Sequence, residues 1–261
     1  MDEFSVKAIS VMALAGAQCG LIGVFVFLLN IPFIGVAIAH AAMAGGIWAV
    51  IFGLPGKSGA LILSILTAIT AGPAADRSGA KTNISLGIIF SLAMGLAFMG
   101  AGIMPGGMQN VSGYLWGSVF LADFKDIIFM TASLVVTALF TVIFYRQVSA
   151  VLFNREMAAA NGINDKFIFY SIMILSGAAI AVNLNIIGGL MLFALVIIPP
   201  AIARSLTNDL KIFMVLTVII GASGAAAGTV VSFIFNLPVS ATVVLFNCAL
   251  YGLSFIAGKR N

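Results

Sequence analysis

His40 is the one histidine of the chain and sits in the segment FIGVAIAHAAMAGG (33–46), within a run free of Asp, Glu, Lys and Arg that extends from Ala8 to Gly56. An ionisable side chain at membrane depth is a functional candidate by default. Neutral imidazole is a good ligand for Zn²⁺, Mn²⁺ or Fe²⁺. The competing role is a neutral histidine hydrogen-bonded to a backbone carbonyl for packing. One imidazole makes no tight metal site, but two copies facing the axis of a homodimer would offer a transient station on a pathway.

Other reactive chemistry is scarce. Gly56, Lys57 and Ser58 resemble the end of a phosphate-binding loop, yet the first glycine of that motif would fall on Ile51, and no strand leads into it. Without a nucleotide motif, energy must come from a partner protein or an ion gradient. HExxH, GxSxG and paired intramembrane aspartates are missing from the sequence, which disfavours an intramembrane protease. Cys19 and Cys248 each lie in an apolar run with no metal-ligand spacing and read as small buried residues. Met104 and Met108 could take Cu(I) through their thioethers, but methionine in an apolar helical chain is mostly packing, so copper ranks below the harder divalent metals.

The longest polar interruption, RQVSAVLFNREMAAANGINDK (146–166), has the features of a short helix outside the bilayer. Asn154 can cap it, Glu156 favours its first turn, Met157 to Ala160 propagate it, and Gly162 suits the position after its end. Where other loops are tight, a loop carrying its own helix reads as a docking element, against the alternative of a solvated connector.

The elements that position these residues follow from composition. Of 261 residues, 62% are hydrophobic and 8% charged, and mean hydropathy is +1.21. A soluble domain carries about 25% charged residues, so the chain cannot cover itself with a hydrated surface. An outer-membrane barrel alternates apolar and polar residues, whereas IGGLMLFALVII (187–198) does not alternate. The expectation is an all-α polytopic membrane protein forming one transmembrane domain over 1–261, with the polar segment at about 147–166 projecting from it. A span needs about 20 apolar residues. Charge-free stretches divided at Asn30/Pro32, Asn183/Asn185 and Asn236/Pro238 then give about nine spans, with eight or ten as alternatives. The glycine-rich segment 104–120 is expected to be interfacial or re-entrant, with Tyr114 and Trp116 at headgroup depth. With the C-terminus cytoplasmic, nine basic residues lie inside and only Lys7, Lys57 and Lys125 lie outside, in keeping with the positive-inside rule. The net charge of +4 therefore orients helices and carries no implication of nucleic acid. Small-xxx-small spacings at Gly16/Gly20 and Gly224/Gly228 read as close helix packing.

Several segments in this order resemble the membrane subunits of ABC importers for zinc, manganese and iron. They are GLIGVFVFLLN (20–30), AHAAMAGG (39–46), YLWGSVF (114–120), NREMAAANGIN (154–164), IGGLMLFALVIIPPAIA (187–203) and NLPVSATVV (236–244). The resemblance implies a type II importer permease fold in the inner membrane of a prokaryote. It implies a homodimer served by a pair of cytoplasmic ATPase subunits, which bind the ATP, and by an extracytoplasmic metal-binding protein. The permease would hold no tight cofactor, and zinc is the first expectation for its cargo, with manganese and iron as alternatives. The span with His40 would line the pathway, and Arg155, Glu156, Ala159 and Gly162 would belong to the coupling segment. Two departures stand out: many members carry Asp where this chain has Val36, and Ala44 replaces a proline of the family pattern while the glycine of its Pro-Ser-Gly motif is replaced, leaving Pro238, Val239 and Ser240. Outside this reading stand an ion-coupled secondary transporter and a type II permease for a metal chelate or cobalamin-like substrate. Secondary carriers usually display intramembrane carboxylates, and all eight acids here fall in expected loops or termini.

Overall fold

The structure, a computed structural model, describes residues 3–75, 80–104, 117, 119 and 122–258. Its described residues form eleven helices. They are α1 (Glu3–Leu28), α2 (Pro32–Ile51), α3 (Gly56–Ala75), α4 (Ala80–Ile103), α5 (Phe124–Ile143), α6 (Tyr145–Phe153), α7 (Arg155–Ala160), α8 (Asp165–Ile187), α9 (Gly189–Leu206), α10 (Leu210–Phe235) and α11 (Val239–Gly258). Seven are long and apolar enough to cross a bilayer, and the apolar stretches of α3 and α11, Gly56–Gly72 and Val239–Phe255, are only slightly shorter. Nine long helices among the described residues match the nine expected spans. Most of the expected interfacial segment, including Met108, Tyr114 and Trp116, lies outside the described residues.

Two of the three expected dividing points hold. Pro32 opens α2, and Asn236, in the left-handed region at φ 51°, ends α10. The third is corrected: Asn183 and Asn185 lie inside α8, and the chain turns at Gly188, whose φ of 78° suits a residue without Cβ. Asn183 is fully buried and bonded to another helix, so its polarity serves a tertiary contact and leaves the local backbone helical.

Helices α1 and α2 form the centre. Their residues are apolar all round and largely Ala, Gly, Ile, Val and Phe, which suits a helix surrounded by other helices. α1 packs on α10, α9, α5 and α8, and α2 on α3, α4, α8 and α9. Gly16 of α1 and Gly221 of α10 meet backbone to backbone, as do Gly45 of α2 and Gly59 of α3, so an added Cβ at any of the four would strike the partner's carbonyl. Without water or a hydrophobic gain to hold helices together in lipid, such close approach supplies the van der Waals contact.

Pro199 and Pro200 sit inside α9. Proline removes the N–H that would bond the carbonyl four residues back, which for Pro200 is Val196. Gly23 of α1 lies directly against that Val196 carbonyl, so the freed acceptor is covered by backbone and kept from lipid.

Contacts between helix ends define two faces. The Lys57–Asp126 ion pair joins the start of α3 to the start of α5 on one face. On the other, Lys211 at the start of α10 lies over the ring of Tyr145, just past the end of α5. Arg155 and Asp165 pair on this second face, at the start of α7 and of α8.

Candidate functional site

His40 projects from the middle of α2 and is half-buried. Its Nδ1 lies 2.9 Å from the carbonyl oxygen of Val36 one turn earlier. A carbonyl can only accept, so Nδ1–H is the donor and the neutral ring keeps the lone pair of Nε2 for another partner. The carbonyl also fixes the ring's orientation, as second partners of metal-binding imidazoles do. Phe90 of α4 meets the ring edge-on, with centroids 4.9 Å apart. The packing bond weighed from sequence is thus present, and it engages Nδ1 while leaving Nε2 outside it. Among the described residues no group of three or more His, Cys, Asp or Glu side chains is placed to hold a metal ion. His40 is the one imidazole of the chain. Cys19 is buried and Cys248 exposed, both as free thiols.

The polar segment after α5 forms two short helices. The side-chain oxygen of Asn154 accepts from the N–H of Met157, which caps α7, and Glu156 stands in its first turn. Gly162 has φ 79° just past the helix end, a left-handed position where a side chain is strained. Arg155 is turned inward: its guanidinium donates to Asp165 at 2.9 Å and lies 3.9 Å from the centroid of the Phe169 ring. Buried Ala158 packs α7 onto its neighbours, while Glu156, Met157, Ala159 and Ala160 are exposed. Phe153, just before the cap, is 88% exposed. Met157, in the first turn of α7, is likewise a large apolar side chain left exposed at 58%. Phe153 and Met157 escape a sequence reading that follows caps and charges, because only their exposure distinguishes them from core residues.

The glycines expected to pack helices lie at contacts within the chain. Gly16 meets Gly221, and a Cβ on Gly20 would lie 2.7 Å from the Thr217 carbonyl, both between α1 and α10. Gly224 lies against the Asn247 side chain and Gly228 against Val243, both between α10 and α11.

A buried polar chain also runs across three helices. Asn183 of α8 donates to Gln18 of α1 at 2.8 Å, and Gln18 donates to Ser133 of α5 at 2.6 Å. On α5, Ser133, Thr137 and Thr141 follow at four-residue intervals, with Thr137 and Thr141 buried. That interval is the signal by which sequence could have found the inward face of α5.

These features define a polytopic helical membrane protein with a short helical segment on one face. A model of the ABC 3 transport family matches residues 1–258, and the chain belongs to that family. It is 30% identical over 258 residues to the manganese transport system membrane protein MntC of Halalkalibacterium halodurans, covering 97% of this chain and 87% of that protein. It is 28% identical over 260 residues to the MntC of Listeria monocytogenes, covering 99% and 92%. In fold it matches PsaBC from Streptococcus pneumoniae, solved in complex with Fab, with a TM-score of 0.85 at 24% identity over 98% of this chain and 92% of that one. The fold is that of an ABC importer permease.

Proposed function

We propose that this chain is the permease subunit of an ATP-driven importer of divalent metal ions, with manganese as its cargo. The observation that carries the reading is the likeness to a manganese transport membrane protein across 97% of the chain. The relatives' names move the expectation from zinc, placed first from sequence, to manganese. The chemistry of His40 agrees with this. Mn²⁺ stands at the weak end of the divalent affinity order, and a single open imidazole nitrogen per subunit in a span without acids offers weak binding, which lets an ion leave as well as enter.

In this reading two copies of the chain form the pathway, with α2 and His40 along it. A pair of cytoplasmic ATPase subunits binds ATP and docks on the face that carries Phe153, Glu156, Met157 and Ala159. An extracytoplasmic metal-binding protein delivers the ion to the opposite face. The chain holds no tight cofactor, and the basic face with Arg146, Lys166, Arg204 and Lys211 is cytoplasmic by the positive-inside rule, as is the C-terminus. Secondary transport is the weaker reading, because the acids of the described residues stand at helix ends or loops, away from mid-membrane. Proteoliposomes containing the permease, its ATPase and its binding protein should accumulate Mn²⁺ only with internal ATP hydrolysis at the ATPase face. Uptake driven by an ion gradient with no ATPase present would reject the reading.

A further inference from the structure

On the outside of the bundle a groove of about 540 Å³ opens between α1, α5 and α10. Its walls include Leu21 of α1, Ala138 and Val142 of α5, and Val215, Val218 and Ile219 of α10. Thr141 also lines it, but its hydroxyl donates to the Thr137 carbonyl at 2.7 Å within α5, so no free polar group faces inward from that wall.

One end of the groove is polar. Lys211 is exposed there, its ammonium 5.6 Å from the centroid of the Tyr145 ring, and exposed Arg146 follows Tyr145. Among the described residues neither cation forms an ion pair. The neighbouring acid, Asp209, accepts from the N–H of Ile212 at 2.9 Å at the start of α10. From Lys211 to Ile219 the groove follows α10 for about 12 Å at 1.5 Å per residue. The hydrocarbon of one leaflet is about 15 Å deep. The groove thus begins at headgroup level and runs through most of one leaflet.

We propose that this groove is a binding site for one anionic phospholipid of the leaflet on the Lys211 side, with an acyl chain against α5 and α10 and the phosphate at Lys211 and Arg146. Charge complementarity selects the occupant. A lipid with a net negative headgroup satisfies both cations, whereas a zwitterionic lipid brings an ammonium that the same cations repel. The site stands where α5 passes into α6, at the base of the segment that carries α7.

The test is lipid retention by the purified full-length chain, exchanged into an equal mixture of phosphatidylglycerol and phosphatidylcholine and read by native mass spectrometry. The wild type should retain phosphatidylglycerol selectively. Each cation near a membrane surface contributes about 1 kcal/mol, so Lys211→Ala should weaken retention about five-fold and Lys211→Ala with Arg146→Ala about 25-fold. Val218→Trp, which fills the groove and keeps both cations, should also lose the lipid. Lys211→Ala changes an exposed side chain, so the test stands even where the tryptophan variant fails to fold. Equal retention of the two lipids, or equal phosphatidylglycerol retention by wild type and Lys211→Ala, would overturn the proposal. So would a disulfide between two copies of Val215→Cys in native membranes, which would assign the groove to a second subunit.

Discussion

The side-chain amide of Asn183 donates to the Oε1 of Gln18 at 2.8 Å, tying α8 to α1 across 165 positions of sequence at a site with no solvent exposure. Asn183 also donates to the Ala179 carbonyl of its own helix, and Gln18 passes the chain on to Ser133. In lipid an amide stripped of its partner has no water to turn to. The pair therefore fixes which faces of α1, α5 and α8 meet.

Removing one member should cost more than removing both. Gln18→Leu leaves the Asn183 amide without its cross-helix acceptor and should destabilise the fold by about 1 kcal/mol. Gln18→Leu combined with Asn183→Leu should recover part of that loss. Unfolding of the four proteins in detergent forms a double-mutant cycle, and simple additivity would show that the two amides do not act together.

The α1–α10 crossing makes a sharper demand on volume. Gly16→Leu should abolish recovery of folded protein, because its first added carbon already meets the Gly221 carbonyl and the Ala225 side chain. Gly252→Ala, where nothing lies within 4 Å of the added carbon, should behave as wild type. Size-exclusion profiles of the fluorescently tagged chains distinguish the two, and a normal profile for Gly16→Leu would refute the close crossing.

On α7 adjacent alanines should fail in different ways. Ala158 is 3% exposed, so Ala158→Trp should disrupt packing of the segment and lower thermal stability. Ala159 is exposed, so Ala159→Trp, or Glu156→Arg, should leave the fold intact and reduce co-purification of the ATPase by ten-fold or more. If Ala159→Trp retains the ATPase and transports at the wild-type rate, α7 is not the docking surface.

His40→Ala should lower Mn²⁺ uptake by at least ten-fold in proteoliposomes of the complete complex, with dimer content unchanged. Val36→Asp adds a carboxylate one turn away and should increase metal retention while slowing release, as a second ligand and a fixed negative charge would. Metal retained on the purified Val36→Asp protein is measurable by elemental analysis. Wild-type uptake by His40→Ala would assign the imidazole to packing against Val36 and Phe90 alone.

Composition and local pattern determined a great deal. Twenty charges in 261 residues exclude a hydrated surface, and the charge-free stretches set nine long helices because each must carry about 20 apolar residues through the bilayer. The α7 cap was legible for the same reason: Asn154, Glu156 and Gly162 act on backbone groups within a few residues of themselves. Asn183 shows where such reasoning ends. Its type alone pointed to a turn, but a buried amide joins whichever partner the fold supplies, and Gln18 lies on a distant helix. Likewise, the sequence singled out His40, whereas the ring's position against Phe90 depends on how α2 and α4 pack. Gly45 and Gly59, the cover of the Val196 carbonyl by Gly23, and the exposure of Phe153 are products of packing too. In an apolar chain nearly every surface could be either core or lipid-facing. Hydropathy cannot separate the two, and only the fit of one helix against another decides.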